Sequence, residues 1–261
     1  MAPTLLLIGG TACDEALWAP LRKLAPPLAQ CVRVADYGAH ESARAAATDL
    51  LARHRGRLVP VGFSLGGFVA QEMAAQAPER LAGIVLVATN ARADTAAGAQ
   101  ARQRIVDLAD ALGPGAVVRQ HLWPAYVAPG RLSDSALQDA IVAMADRLGI
   151  AALRRHAAIA ATRADGLARL SAWHGPALVI SGARDALNPA DRQREMHGRL
   201  RQGRWVNLPE VGHFVPLEAP RALHGALRQW LRDGVAFENL RPSARNPTSQ
   251  ERALDDGQGK P

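Results

Sequence analysis

Short apolar runs alternate with segments of helical pattern along the first third of the chain. The apolar runs at residues 5–8, 58–61 and 81–88 have the length of buried strands, and the run at 68–74 is compatible with a helix. Strands that alternate with helices are typical of a parallel sheet with helices on its faces. The same pattern resumes at 177–181 and 204–208, and a final helix is predicted from about residue 221 to 232.

The middle of the chain lacks this alternation. Helical segments are predicted there instead, and a glycine or proline ends each of the first three; the segments are 99–112, 116–123, 134–148 and 151–162. The third segment carries an apolar stripe at helical spacing, which we expect to pack in a core rather than to contact a substrate. The stripe comprises Leu137, Ile141, Met144 and Leu148.

These patterns predict the domain organisation. We expect residues 1–89 and 175–233 to form an α/β core and residues 90–174 to be inserted as helices. Residues 234–261 are polar, contain proline and have few large apolar side chains, so they are predicted to be disordered. Pro60 lies inside a predicted strand, where its missing N–H should interrupt the hydrogen-bond ladder locally without changing the fold.

One serine lies between a predicted strand and a predicted helix, inside the sequence Gly62-Phe63-Ser64-Leu65-Gly66-Gly67. Glycine neighbours permit a sharp turn, which would expose the Ser64 hydroxyl at the helix N-terminus, where backbone N–H groups stabilise negative charge. This pattern predicts a nucleophile. The alternative is a glycine-rich turn in which Ser64 only caps the helix.

A serine nucleophile needs a base and a carboxylate that orients the base. On a strand–turn–helix elbow the expected chain order is serine, acid, histidine. Asp185 follows the predicted strand 177–181, and His213 follows the predicted strand 204–208 beside a glycine. We therefore assign Asp185 as the acid and His213 as the base. An Asx turn before Asn188-Pro189 is the alternative role for Asp185.

The other acids and histidines fit these roles less well. Asp36 and Asp94 also follow strand-like runs, but each precedes its required place in the order. The remaining histidines lack the strand–loop setting and are interpreted as solvated or packed side chains. They are His40, His54, His121, His156, His174, His197 and His224.

With these three motifs in order, the chain resembles the α/β-hydrolase superfamily, and among its members the small bacterial serine esterases with a helical cap. The resemblance extends from about Leu5 to Leu231. Residues 5–11 are similar to the strand and loop that supply the second oxyanion donor. Residues 32–42 resemble the Asp-x-x-Gly-x-x-x-Ser stretch that ends the next strand, and Ala77-Pro78-Glu79-Arg80 resembles the end of the helix behind the nucleophile.

The resemblance implies an α/β-hydrolase fold, a mostly parallel twisted sheet flanked by helices with a helical cap at 90–174. It also implies that the backbone N–H groups of Leu65 and Thr11 form the oxyanion hole, and that no cofactor or metal is needed. The family usually has His-Gly in the oxyanion loop, whereas this chain has Gly9-Gly10. The donor is a backbone N–H, so this departure affects only the side-chain bracing of the loop.

The activity implied by the resemblance is hydrolysis of a carboxylic ester, or of a related lactone or thioester, through an acyl-enzyme. The same fold also hosts carbon–carbon hydrolases, cofactor-independent lyases and non-catalytic ligand-binding proteins, and these alternatives stay open. Trp123 and Tyr126 lie beside Pro124 in the predicted cap. They are interpreted either as a wall of the substrate pocket or as packing between cap and core.

The composition excludes several other classes of protein. With 261 residues and 48% hydrophobic positions, the chain can bury the core of one sizeable domain. The net charge of +7 comes from scattered arginines without interleaved aromatic residues, so no nucleic-acid partner is expected. Two cysteines and the lack of a signal-like or transmembrane run predict a cytoplasmic protein without a membrane partner, which acts on a small ester-type molecule.

Overall fold

The apolar runs form a parallel sheet. The structure is a computed structural model and describes residues 2–24, 28–29 and 31–235. Within these ranges the strands are β1 (Thr4–Ile8), β2 (Val32–Ala35), β3 (Leu58–Phe63), β4 (Ile84–Val87), β5 (Pro176–Gly182) and β6 (Gln202–Leu208). Their order in the sheet is β2-β1-β3-β4-β5-β6, and every pairing is parallel. The prediction of a mostly parallel sheet flanked by helices is confirmed.

Helices connect the strands. The α-helices are α1 (Ala19–Arg22), α2 (Ala43–Arg53), α3 (Leu65–Gln76), α4 (Ala96–Leu112), α5 (Pro114–Val117), α6 (Trp123–Tyr126), α7 (Ser135–Ala161), α8 (Leu167–Ala172), α9 (Ala190–His197), α10 (Val215–Glu218) and α11 (Pro220–Trp230). Short 3₁₀ turns lie at Glu15–Trp18, Pro78–Arg80 and Pro129–Arg131, and π-helical turns at Val118–Leu122 and Leu231–Val235. In the described residues, all elements between β4 and β5 are helical, and we call α4–α8 the helical insertion.

Two of the predicted helices in the insertion correspond to α7. Its φ and ψ angles leave the helical region at Gly149, where the sequence predicted the break. The predicted helical segment 116–123 is helical, but it is divided among α5, a π-helical turn and the start of α6. Pro124 does not end a helix here. It lies in the first turn of α6, where the missing N–H would have no helical partner.

Side chains of the strands alternate between two apolar clusters, one on each face of the sheet. On β1, Leu5 and Leu7 belong to one cluster, and Leu6 and Ile8 belong to the other. The first cluster extends into the insertion through α7, which contributes the buried residues Leu137, Ile141 and Met144. Three of the four residues of the predicted apolar stripe therefore lie in the core, as expected.

Pro60 interrupts only one side of its strand. Pairing with β1 is continuous, with Pro60 opposite Leu6. Toward β4, an isolated bridge joins Leu58 to Leu81, and regular pairing begins only at Val61 opposite Val85. From the first of these pairings to the second, β3 runs three residues (58 to 61), whereas the segment opposite it runs four (81 to 85). The extra residue forms a bulge in that segment, where Pro60 has no N–H to donate. The local interruption predicted from the sequence is confirmed.

The described part of the chain ends shortly after α11. The turn at Leu231–Val235 includes the first two residues of the predicted disordered tail, and the rest of that tail lies outside the described residues. None of the described helices combines the length and the apolar character that crossing a membrane would require.

Candidate active site

Ser64 lies on a strained turn between β3 and α3. Its backbone has φ 50° and ψ −113°, in a region that non-glycine residues rarely adopt. Hydrogen bonds fix this conformation: the Ser64 N–H donates to Val87 O (2.9 Å), and Thr89 Oγ1 donates to Ser64 O (2.7 Å). A strained backbone conformation of this kind persists only where the surrounding contacts impose it. The turn is therefore built to hold this serine in place.

The glycines around Ser64 allow the turn to pack closely. A Cβ atom at Gly62 would collide with the backbone of Gly66, and a Cβ atom at Gly66 would collide with the carbonyl of Ile8 at the end of β1. The glycine pattern that predicted a sharp elbow therefore has a steric cause in the structure.

The structure brings Ser64, Asp185 and His213 together from three loops. Nε2 of His213 lies 3.0 Å from Ser64 Oγ, and Nδ1 of His213 lies 2.9 Å from Asp185 Oδ2. Asp185 and His213 are both buried, with 4% and 3% of their surface exposed. The other carboxylate oxygen of Asp185 accepts the N–H groups of Leu187 and Asn188, as an Asx turn requires. These contacts form the Asx turn, and the geometry at Oδ2 is also compatible with the predicted role as the acid beside His213.

The loop that carries His213 is attached to the helical insertion. Tyr126 O accepts the N–H groups of His213 (3.1 Å) and Phe214 (3.2 Å). Oε2 of Glu218 accepts the N–H groups of Ala128 (2.8 Å) and Gly212 (3.0 Å), so one half-buried carboxylate joins the two segments. Burial raises the pKa of Glu218. Sequence reasoning missed this contact, because no local pattern relates residue 218 to residue 128.

Residues Gly9 to Cys13, which we call the oxyanion loop, follow β1 beside Ser64. Thr11 and Leu65 line the same cavity as Ser64 and His213, as their predicted role requires. Two residues that the sequence did not single out hold this loop. The Tyr37 hydroxyl donates to Gly9 O, and the Ala12 N–H donates to Nδ1 of His156 (3.0 Å).

Cys13 closes the oxyanion loop. Its thiol donates to Thr11 O (3.3 Å) and its N–H donates to Gly10 O (3.3 Å). Burial raises the pKa of the thiol to about 12, so Cys13 stays protonated at neutral pH and acts as a small packed side chain with a weak donor.

A cavity of about 370 Å³ opens beside Ser64 and His213. Its walls come from both the sheet side and the insertion and are mainly apolar; they include Phe63, Phe68, Ile105, Val106, Leu122 and Leu153. Tyr126 also lines the cavity. Trp123 is not among the lining residues; it is 5% exposed, and its indole Nε1 donates to Leu132 O (3.0 Å). The structure thus places one of the two predicted wall residues at the cavity.

The acids that the chain order excluded lie in other interactions. Asp94 pairs with Arg102 through two hydrogen bonds (2.9 and 3.0 Å) and with Arg163 at 3.2 Å. Burial opposes ionisation of Asp94, but the hydrogen bonds and charges of the two arginines outweigh it and lower its pKa. Asp36 lies near Arg53 with 80% of its side chain exposed. Among the described residues, no group of three or more His, Cys, Asp or Glu could hold a metal ion.

Known proteins resemble this chain in sequence. A model of the alpha/beta hydrolase family matches residues 5–226. The protein named pimeloyl-[acyl-carrier protein] methyl ester esterase from Chromobacterium violaceum is 30% identical over 211 residues, which are 74% of this chain and 76% of that protein. BpoC of Mycobacterium tuberculosis, whose name describes a non-heme bromoperoxidase, is 31% identical over 178 residues, 64% of this chain. The match spans only 65% of BpoC.

Solved structures resemble it in fold. A thermophilic esterase from Thermogutta terrifontis superposes with a TM-score of 0.78 at 28% identity, over 88% of this chain and 89% of that one. The family match runs from β1 into α11 and includes Ser64, Asp185 and His213. The chain therefore belongs to the alpha/beta hydrolase family.

Proposed function

We propose that the protein is a serine-dependent hydrolase that cleaves carboxylic esters through an acyl-enzyme on Ser64. The observation that carries this proposal is the hydrogen-bonded series Ser64–His213–Asp185, with distances of 3.0 and 2.9 Å, at the wall of an apolar cavity. A nucleophile, a base in contact with it and an acid in contact with the base are the groups that acyl transfer needs.

The proposed reaction begins when His213 takes the Ser64 proton and Ser64 Oγ attacks the ester carbonyl. Asp185 orients the imidazole and stabilises its charged form. The backbone N–H groups of Leu65 and Thr11 bind the oxygen that becomes negative in the tetrahedral intermediate. His213 then protonates the departing alcohol, and water repeats the same steps on the acyl-enzyme.

The cavity supports an ester with an apolar acyl group as the small-molecule substrate. Its walls are mainly aliphatic and aromatic, and polar side chains such as Asn90 and Asn188 lie at part of the surface. In this proposal the helical insertion acts as a cap, since α4 and α7 supply much of the wall facing Ser64. Two relatives named as esterases support hydrolysis of esters, while lactones and thioesters have the same reacting carbonyl.

The test is a panel of esters of graded acyl length together with lactones and thioesters. We expect turnover of esters by the parent protein, loss of turnover in Ser64→Ala, and labelling of Ser64 by a fluorophosphonate. Ser135→Ala is the matched control, because Ser135 is an exposed serine at the start of α7. Label that persists in Ser64→Ala would overturn the proposal.

Other outcomes would assign the alternative functions. Cleavage of cyanohydrins or aldols without ester turnover would indicate a lyase in which Ser64 and His213 only move protons. Ligand binding that is unchanged in Ser64→Ala, with no turnover of any substrate, would indicate a binding protein. The panel also includes bromide with hydrogen peroxide, because the Mycobacterium tuberculosis relative is named after that type of reaction.

A further inference from the structure

We propose that His156, on α7 of the helical insertion, is a positioning residue that holds the oxyanion loop in its working conformation. The inference rests on the proposed function, in which the Thr11 N–H binds the oxyanion. His156 itself acts through the loop and is not assigned a step in the reaction.

The contact fixes the peptide next to the proposed donor. Nδ1 of His156 accepts the Ala12 N–H at 3.0 Å, although the two residues are 144 positions apart in the chain. The Ala12 N–H belongs to the peptide that joins Thr11 to Ala12, so the bond sets the plane of that peptide. Ala12 has φ 54°, a left-handed conformation that alanine avoids unless its surroundings impose it. His156 supplies part of that constraint.

Tyr37 completes the support at the other end of the oxyanion loop. Its hydroxyl donates to Gly9 O, and its ring meets the His156 ring edge-on with centroids 5.1 Å apart. Gly9 has no side chain with which to brace the loop itself. Tyr37 thus holds Gly9 and His156 holds Ala12. Because the two rings pack against each other, the loop is supported at both points by one pair of side chains.

The protonation state of His156 suits this role. Burial, with a smaller contribution from the Arg155 charge, lowers the pKa of His156 to about 4. At neutral pH the imidazole is uncharged, and since Nδ1 accepts a hydrogen bond, its proton is on Nε2. His156 also lines the cavity. The hydrogen bond from the Ala12 N–H therefore selects the tautomer that is protonated on Nε2.

The arrangement links two parts of the molecule that catalysis needs together. The oxyanion loop belongs to the sheet side of the site, whereas His156 belongs to the insertion that covers it. A displacement of α7 would break the Ala12 hydrogen bond and release the peptide beside Thr11. The position of the insertion and the formation of the oxyanion hole are thus coupled through one side chain.

The experiment compares three variants of the full chain on one short-chain ester. His156→Leu keeps the size and removes the acceptor, and His156→Asn keeps an acceptor oxygen where Nδ1 lies. His174→Leu is the matched control, because His174 is an exposed histidine that follows the insertion. The readouts are kcat, KM, melting temperature and the inhibition constant of a trifluoromethyl ketone, which forms an oxyanion on the serine.

We expect His156→Leu to lower kcat by about 10- to 100-fold and to change KM by less than about threefold. This fall in kcat is no larger than the fall caused by removing an oxyanion donor itself. The trifluoromethyl ketone should bind more weakly by the same factor as kcat/KM falls, since both report the oxyanion. His156→Asn should recover most of kcat. Parental kcat in His156→Leu, or equal losses in the Leu and Asn variants, would overturn the inference.

Failure of the proposed function would have a different signature. If Ser64→Ala keeps its ester turnover, the proposed serine-dependent hydrolysis is wrong. The hydrogen bond between Ala12 and His156 can still be tested, by hydrogen exchange of the Ala12 amide. That amide should exchange slowly in the parent and in His156→Asn and faster in His156→Leu. Equal exchange in all three would overturn the proposed hold on the loop, whatever the reaction is.

Discussion

Asp185 makes a different contact with each of its two carboxylate oxygens, so its local sequence is compatible with a turn and with the proposed acid. Oδ1 accepts the N–H groups of Leu187 and Asn188 and so shapes the loop after β5. Oδ2 is left to meet Nδ1 of His213. Because the turn holds the carboxylate in place, less conformational entropy is lost when Oδ2 pairs with the imidazole.

Asp185→Asn separates these two contacts. The amide oxygen can keep the turn, whereas the amide nitrogen presents a donor to His213 and favours the wrong tautomer. We expect a fall in kcat of as much as about 10⁴-fold, with the melting temperature nearly unchanged. Steady-state kinetics and thermal unfolding measure both. Asp36→Asn, at an exposed acid, is the control. If the activity of Asp185→Asn stays within a few fold of the parent, another carboxylate orients His213 and the assignment of Asp185 is wrong.

His156 should make the stability of the fold depend on pH. Burial lowers its pKa to about 4 in the folded protein, against about 6.5 when unfolded. The unfolded chain therefore gains a proton first, and stability present above pH 6.5 is lost as the pH falls toward 4, by about 3 kcal/mol in total. The free energy of unfolding, measured in urea at pH 7 and at pH 4.5, should differ less between the two pH values in His156→Leu than in the parent. An equal loss of unfolding free energy between pH 7 and pH 4.5 in the parent and in His156→Leu would contradict this prediction.

At the scale of elements, patterns within a segment were predictable and contacts between distant segments were not. The glycines around Ser64 and the break at Gly149 were predictable, because each follows from local backbone geometry. His156 and Glu218 were missed, because each acts on a residue about 90 or more positions away. Only the packing of the insertion on the core brings those pairs together.

The insertion should also set the preferred acyl length. Ala157 of α7 lines the cavity, and Ala157→Leu would fill part of it without adding a polar group. We expect the rate for long-chain esters to fall relative to the rate for short-chain esters. Ala151→Leu, at an exposed position of the same helix, is the matched control and should leave the ratio unchanged. A uniform loss across all chain lengths in Ala157→Leu would assign Ala157 to packing alone.

At the scale of the whole molecule, the insertion and the sheet share one apolar cluster. Ile141 and Met144 of α7 belong to the same cluster as Leu7 and Val85 of the sheet. Ion pairs such as Arg147–Asp14 (2.7 Å) also cross between the two parts, but about half of the arginine side chain is exposed, and such pairs stabilise little. Buried apolar surface therefore contributes more to the attachment of the insertion than exposed ion pairs of this kind do.

A shared core predicts that the insertion and the sheet unfold together. Met144 is 1% exposed, and Met144→Ala should lower the free energy of unfolding by about 2–5 kcal/mol, whereas Leu112→Ala, on an insertion side chain that is 49% exposed, should change it little. If the core is continuous, denaturation of Met144→Ala followed by far-UV circular dichroism and by loss of ester turnover should give one coincident transition at a lower midpoint. Turnover lost well before the dichroism changes would show that the insertion detaches first, and the two parts would then be independent units.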